Sequence, residues 1–221
     1  MGPFRLLWKG IADVFEHLLP YMLASILWWL GVLLFITFPP ATIGLFAMTD
    51  PRRSIDRPDA RELLAQVRAD AFSSWKLFLI IIPITGLLIW DLGFYGGSQG
   101  GFAVLAPLWL TLLIIAVAVS LAAISTLALT EAGVGTALRR GAFVILSAPF
   151  RSLLVLLASL FYMVVGVLLI VPFVLIVPAL IAATVNRLVL TQLQIPVIDP
   201  MAPTDERVLE QQLKRTHKAR R

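Results

Sequence analysis

The sequence has no cysteine among its 221 residues and only two histidines, His17 and His217. Without thiols there are no disulfides, no thiolate metal sites and no cysteine nucleophiles. The two histidines lie near opposite ends of the chain, so they form neither a His-Glu-x-x-His zinc motif nor a local Ser-His pair. Glycine-rich phosphate loops are missing as well. We therefore predict that the protein is not an enzyme and has no catalytic, cofactor-binding or metal-binding residues.

Charge is scarce over most of the chain. Charged residues make up 14 % of the sequence and hydrophobic residues 59 %, and the mean hydropathy is +0.92. Soluble domains are about a quarter charged and roughly half apolar. Residues 18–48 and 152–186 carry no charge at all, and each run exceeds the ~20 residues that fill the hydrocarbon core of a bilayer. The composition predicts a multi-span membrane protein whose main partner is the lipid bilayer.

The apolar runs predict an all-α, polytopic transmembrane helical bundle within residues 1–193. Pro39-Pro40 breaks the first run, because proline lacks an N–H and excludes the preceding residue from the helical region. The first span therefore ends near Phe38, and a short second piece covers 40–48. Pro172 and Pro178 divide the last run into two spans joined by a tight apolar turn. The five predicted spans are about 20–38, 74–91, 107–130, 150–170 and 171–190.

The segments outside the spans have patterns of their own. Apolar residues at helical spacing, with charges between them, predict an interfacial helix before residue 20. Asp59 and Glu62 resemble a capping box and predict an amphipathic loop helix over 59–73. Five glycines between Gly93 and Gly101 predict a flexible loop. Residues 194–221 are expected to form a short basic cytoplasmic tail.

Basic residues predict the orientation in the membrane. Of the 18 Lys and Arg, 16 fall in the 49–76 loop, the 131–151 loop and the segment from Arg187 onward. Lys and Arg are enriched in cytoplasmic loops, so the C-terminus is predicted to be cytoplasmic and, with five spans, the N-terminus outside. A chain reversal at Pro39-Pro40 would instead leave the N-terminus inside. The pI near 10.1 is thus attributed to sidedness, and no nucleic acid is expected as a partner.

Four residues are candidate functional residues: Pro39, Pro40, Thr42 and Asp91. The broken first helix frees backbone groups that could line a cavity. Asp91 ends the second span beside an aromatic pair, an arrangement suited to sugar hydroxyls. A solvated interfacial carboxylate is the alternative interpretation of Asp91, and a hydroxyl bonded to its own helix that of Thr42.

No ionisable residue falls near the midplane of a predicted span, which argues against an ion-coupled pump or a charged pore. The pair Asn186-Arg187 is interpreted as a helix-end anchor. In this interpretation Arg187 extends towards the lipid headgroups.

Leu30 to Phe46 contains the run Phe38-Pro39-Pro40-Ala41-Thr42. A first span that ends in a Pro-Ala-Thr turn and leads into a charged loop resembles the YesL-like family of bacterial integral membrane proteins, a domain of unknown function. Members of that family often accompany carbohydrate-uptake ABC transporters. The resemblance therefore implies a non-enzymatic accessory component in a bacterial inner membrane, with ABC-transporter permease subunits as partners. It supplies no site residues. A small-molecule transporter in its own right and a structural subunit of a larger complex remain alternatives.

Overall fold

The computed structural model describes residues 3–16, 18–52, 71–97, 101–130, 132–195 and 197. These residues form helices and connections without a β-strand, which confirms the all-α prediction. A 3₁₀ turn over Gly101–Leu105 precedes the fifth α-helix. The predicted loop helix 59–73 and the tail 194–221 lie almost wholly outside the described residues. The helices are α1 Pro3–Glu16, α2 Leu18–Leu33, α3 Phe38–Met48, α4 Ala71–Gly97, α5 Ala106–Leu129, α6 Val134–Ser147, α7 Pro149–Leu169, α8 Val171–Leu175 and α9 Val177–Gln192.

Among the described residues, three helices are long and apolar enough to cross a membrane: Ala71–Gly97, Phe102–Leu129 and Pro149–Leu169. A fourth is obtained only if α1 and α2, which meet at 90°, are taken as one bent span. α9 has 16 residues and is about 24 Å long at 1.5 Å per residue, shorter than a hydrocarbon core of roughly 30 Å. The chain is a membrane-embedded helical bundle, and the five predicted spans are not confirmed.

The first apolar run breaks one turn earlier than predicted. α2 ends at Leu33, and residues 34–37 form a turn in which Phe35 has a φ of +47°. Pro39 and Pro40 occupy the first turn of α3, where the missing N–H is not required by the helix. The proline pair therefore starts the second helix, and the break itself lies before it.

α3 folds back against α2. Gly31 and Ala41 are so close that a methyl group added at Gly31 would collide with the Ala41 side chain. Trp28 donates a hydrogen bond from Nε1 to Thr42 Oγ1 at 3.0 Å. α3 is buried from Pro39 to Ala47, so it is an internal element of the bundle. Of the two alternatives left open by the sequence, this geometry agrees with the chain reversal.

α4 extends beyond its predicted end and takes up half of the expected glycine loop. The helix runs to Gly97, although each glycine costs about 1 kcal/mol relative to alanine in a helix. The Tyr95 ring stacks on Trp109 of α5, with ring centroids 5.7 Å apart. This contact holds the last turns of α4 against the first turn of α5, and the two helices therefore run antiparallel.

α6 occupies most of the segment that was expected to form the 131–151 loop. It buries Ala137, Gly141 and Val144, a helical stripe that packs on α5. A side chain at Gly141 would meet Ala123 N at 2.8 Å and Val119 O at 3.0 Å. Only glycine permits this approach, because any Cβ would overlap the backbone of α5.

The last apolar run contains the predicted turn but not the predicted span. The turn lies at Ile170, whose φ is +52°. The expectation of one helix over 171–190 is wrong: α8 ends at Leu175 and α9 begins at Val177, with a proline in the first turn of each. From Val177 to Leu190, only Leu180 and Ile181 of α9 are not buried. α9 is therefore the central helix of the bundle.

Candidate functional site: a polar clasp at one end of the bundle

Asn186 ties three helices together at the centre of the fold. Its side chain is fully buried on α9, and its Oδ1 accepts a hydrogen bond from Ser125 Oγ of α5 at 2.7 Å. Its Nδ2 donates to Phe46 O at 2.8 Å and to Thr49 Oγ1 at 3.0 Å. Both amide hydrogens and the carbonyl oxygen are thus engaged within the chain. A buried amide left without partners would cost about 1–3 kcal/mol, so the contacts stabilise the fold as a set.

The carbonyl of Phe46 is available because it lies in the last turn of α3. The last four carbonyls of a helix have no partner within it. Thr49 donates from Oγ1 to the same Phe46 oxygen at 3.2 Å, and Asn186 supplies the second donor. The side chain of one helix therefore caps the end of another.

Arg187 and Asp13 form a bidentate ion pair between α9 and α1. Arg187 Nε donates to Asp13 Oδ2 at 2.7 Å and Nη2 donates to Oδ1 at 2.6 Å. The side chains are only 8 % and 16 % exposed. The expectation that Arg187 reaches the headgroups is therefore wrong. α1 covers α9, with Val14 fully buried, and supplies the carboxylate that the guanidinium would otherwise lack.

A second bidentate pair joins the ends of α3 and α5. Asp50 accepts from the backbone N and the Nε of Arg52 at 2.9 and 3.0 Å, while Arg52 Nη2 donates to Asp50 Oδ2 at 2.7 Å. The same Nη2 donates to Leu129 O, the last residue of α5, at 2.8 Å. A cation is favourable at the carbonyl end of a helix. The hydrogen bonds that Arg52 donates to the Asp50 carboxylate raise the pKa of Arg52, so the guanidinium stays charged.

We call these seven residues the polar clasp: Asp13, Thr49, Asp50, Arg52, Ser125, Asn186 and Arg187. They bring α1 and the ends of α3, α5 and α9 to one end of the bundle, which we call the charged end. α2 begins at Leu18, five residues along the chain from Asp13, and Tyr21 in its first turn is buried. The start of α2 therefore belongs to the charged end as well.

The turn between α2 and α3 is held by α4. Trp75, in the second turn of α4, donates from Nε1 to Ile36 O at 3.1 Å, and Phe78 packs edge-on against Phe38 at 5.2 Å. Because α4 runs antiparallel to α5, its first turns lie beside the end of α5, where Arg52 binds. The turn between α2 and α3 is thus tied to the first turns of α4.

The opposite end, which we call the apolar end, contains the Gly101–Leu105 turn and α8. α7 runs antiparallel to α9, since Ser152 shares a small cavity with Leu188 whereas Ser159 and Ile181 line another. The sequence has no charged residue from 92 to 130 or from 152 to 186. Asp91 is the one acidic or basic residue between Lys76 and Glu131. The two ends therefore differ sharply in charge.

The residues predicted from the sequence do not form one site. Pro39 and Pro40 are buried in the first turn of α3. Thr42 Oγ1 donates to Phe38 O of its own helix at 2.8 Å, which agrees with the simpler interpretation of this hydroxyl. Asp91 lies 13 residues beyond Phe78 along α4, about 20 Å away at 1.5 Å per residue. Asp91 is half-exposed, and its functional role stays a prediction, separate from the other three residues.

The aromatic pair beside Asp91 is engaged in packing. Tyr95 stacks on Trp109 with an interplanar angle of 13°, and Phe94 meets Tyr95 edge-on at 5.2 Å. One face of the Tyr95 ring is thus covered, while Phe94 is 65 % exposed. Any sugar-stacking surface here would have to use Phe94.

Sequence reasoning missed the polar clasp, although one signal for it exists. Asp13 stands three residues after Gly10 and seven after Leu6, and both of these are buried. A carboxylate on the apolar stripe of a helix needs a partner, and Arg187, which directly follows the last apolar run, is a candidate. Within the described residues, no three His, Asp or Glu side chains group as a metal site.

Comparisons of the chain with models of protein families, with curated proteins and with solved structures gave no match.

Proposed function

We propose that the protein is a non-enzymatic accessory component of a bacterial inner-membrane complex and acts through helix contacts. The observation that carries this proposal is that the side chains of the polar clasp bind to groups of the same chain. Asn186, Arg187 and Thr49 bond to other parts of the same chain. A transported solute or a reacting group needs polar partners that are free to bind it. Here the polar clasp fastens helices, as expected of a scaffold.

We further propose that both termini are cytoplasmic. In this arrangement the α2–α3 hairpin begins and ends at the charged end, α4 and α5 cross the membrane and return, and α7 crosses before α8 and α9 return. All 18 Lys and Arg then belong to segments on the cytoplasmic side, as the positive-inside rule favours. Five spans with an external N-terminus would separate Asp13 from Arg187, which are 2.6 Å apart at their closest atoms.

Reporter fusions test this orientation. Fusions at either terminus should report a cytoplasmic location, and an insertion at Ser98 should report the outside. An external N-terminus together with a cytoplasmic C-terminus would refute the arrangement.

The proposed link to carbohydrate uptake is supported by the resemblance of Leu30 to Phe46 to the YesL-like family. The partners would be permease subunits of an ABC transporter. α4 is the helix best placed to meet them, since Leu79, Leu87 and Trp90 are between 62 % and 75 % exposed. Such a surface suits either lipid or another transmembrane helix.

Photo-crosslinking in native membranes tests the partner. A photoreactive residue at Leu87, which is 62 % exposed, should form an adduct with a permease subunit, whereas one at the fully buried Leu77 should not. Deletion of the protein should lower sugar uptake. Adducts with lipid alone at Leu87, together with unchanged uptake, would contradict the proposal.

The α2–α3 hairpin favours a second candidate, a small-molecule transporter in its own right. Discontinuous helices form the binding sites of many transporters, and Pro39 and Pro40 start such a helix inside the bundle. Purified protein in liposomes should then move a solute without any other component. Failure to transport sugars and amphiphiles would remove this candidate.

A further inference from the structure

An apolar groove runs between α5, α7 and α9. Its volume is about 400 Å³, and its walls include Leu113, Val117, Leu156, Leu160, Met163 and Ile181. Ligand sites in proteins typically measure roughly 300–1,000 Å³. Ser159 also lines the groove, but its Oγ donates to Val155 O of its own helix at 2.8 Å. The groove therefore offers hydrocarbon contacts to its occupant.

The groove leads towards the charged end. Leu121, Leu156 and Ser159 also line a smaller cavity of about 10 Å³, which touches Ile145 and Ser152. Ser152 is only 4 % exposed, and its Oγ has no hydrogen-bond partner. A buried hydroxyl without a partner is uncommon, because its desolvation is then uncompensated. A polar group is thus available where the apolar groove ends.

Basic residues lie close to Ser152 along the chain, on α6 and at the start of α7. Arg151 directly precedes Ser152, and Arg139 and Arg140 lie on the exposed side of α6. The sequence has no Asp or Glu from 132 to 198, so α6 to α9 contribute positive charge alone. Phe143 and Leu146 are 58 % and 72 % exposed and give α6 an apolar surface next to its arginines. Such a combination suits the boundary between lipid headgroups and acyl chains.

We propose that this groove is a binding site for an anionic phospholipid of the surrounding membrane. One acyl chain fills the groove along α7, the phosphate binds Arg151 at the rim, and Ser152 lies at the depth of the ester groups. Arg139 and Arg140 add attraction for the negative headgroup, as basic residues near an anionic leaflet do. The occupant needs both a long apolar part and a net negative charge. A neutral lipid has the apolar part but lacks the charge.

Photolabelling in vesicles tests the site. The full-length chain is reconstituted in phosphatidylcholine vesicles that contain a minor share of phosphatidylglycerol with a diazirine near the end of one acyl chain. Irradiation should place the label on peptides from the groove walls of α5 and α7. The same diazirine on phosphatidylcholine should label these peptides about fivefold less, the factor expected from one basic contact near an anionic surface.

Two matched pairs of variants make the test specific. Leu160→Trp fills the groove and should reduce its labelling about fivefold or more, whereas Leu157→Trp, on an exposed part of α7 outside the groove, should not. Arg151→Gln should remove most of the preference for phosphatidylglycerol, and Lys76→Gln, which removes the same charge from α4, should preserve it. These positions are at least partly exposed, and circular dichroism verifies that each variant is folded.

The possible results separate the occupants. Equal labelling by the two lipids would mean bulk lipid only and would overturn the proposal, as would labelling unchanged by Leu160→Trp. A photoreactive residue at position 160 that links to another protein in native membranes would identify a partner helix instead, and would also overturn it.

Discussion

α4 and α9 are both apolar helices, but they stand in opposite surroundings. α4 has 27 residues, of which Ser74, Leu77 and Phe78 are buried. α9 has 16 residues, is buried over most of its length and carries Thr184, Asn186 and Arg187. A helix that faces lipid must match the bilayer in length and expose no unpaired polar group. A helix enclosed by protein can be shorter and more polar, provided that each polar group has a partner.

The difference also assigns distinct tasks to the two helices. α9 contacts α1, α3, α5 and α7 through paired polar groups and small residues, so its sequence is constrained on all sides. On the exposed side of α4, replacing one apolar residue by another should have little effect on stability. The following predictions test this contrast by the free energy of unfolding in detergent.

The largest effect is expected from Arg187→Ala. This change leaves the Asp13 carboxylate buried without its partner, which typically costs about 3–5 kcal/mol. Asp91→Ala, which removes the charged residue of α4 near the apolar end, should change stability by less than about 0.5 kcal/mol. The double variant Asp13→Asn/Arg187→Gln should recover part of the loss. Equal stability of Arg187→Ala and the original chain would mean that the ion pair contributes nothing.

Truncation of a leucine should distinguish the helices next. Leu190→Ala in α9 removes a fully buried side chain and should cost about 2–4 kcal/mol, as large-to-small changes in packed cores do. Leu87→Ala in α4 removes a side chain that is 62 % exposed and should cost less than about 0.5 kcal/mol. The contrast between the two helices is refuted if both substitutions lower the free energy of unfolding by similar amounts.

Glycine substitutions extend the contrast to the contact between α5 and α6. Gly141→Leu should destabilise by about 1–3 kcal/mol, because the new side chain overlaps the backbone of α5. Gly86 of α4 has nothing within 4 Å of the Cβ position. Gly86→Ala should therefore stabilise the chain by up to about 1 kcal/mol through helix propensity. Tolerance of leucine at position 141 would show that α6 is free to move away.

The smallest effect is the coupling between Ser125 and Asn186. Interhelical hydrogen bonds in membrane proteins contribute about 0.6 kcal/mol on average and at most about 1.7. A double-mutant cycle of Ser125→Ala and Asn186→Leu should give a coupling free energy in this range. Ser120→Ala is the control, since its hydroxyl donates to Ala116 O of its own helix. A coupling near zero would assign the bond no energetic role.

Much of the fold could be predicted from the lengths of the uncharged runs and the positions of the prolines. The apolar runs predicted helices where α2, α4, α5 and α7 lie, and proline chemistry predicted a break near Pro39 and a turn near Ile170. The end of α4 was missed because the glycine run suggested a loop, whereas the stacking of Tyr95 on Trp109 preserves the helix. Such a contact lies outside any local window of the sequence.

The candidate site was the less predictable part. Pro39, Pro40, Thr42 and Asp91 were selected as local irregularities, and the structure leaves Asp91 far from the other three. Asn186 and Arg187 were interpreted as a helix-end anchor because hydropathy treats a polar residue near a span end as exposed. Their burial depends on α1 and α3, which come from distant parts of the sequence.

The sequence by itself determined that this chain is helical and embedded in a membrane, because uncharged runs of this length and composition are favourably solvated as helices in lipid and not in water. It also determined where charge is concentrated. Only the tertiary structure decided which helix is central, that α3 turns back against α2, and that Asp13 meets Arg187. These features depend on contacts between residues up to 174 positions apart, and pairing at that distance leaves no periodic signal in the chain.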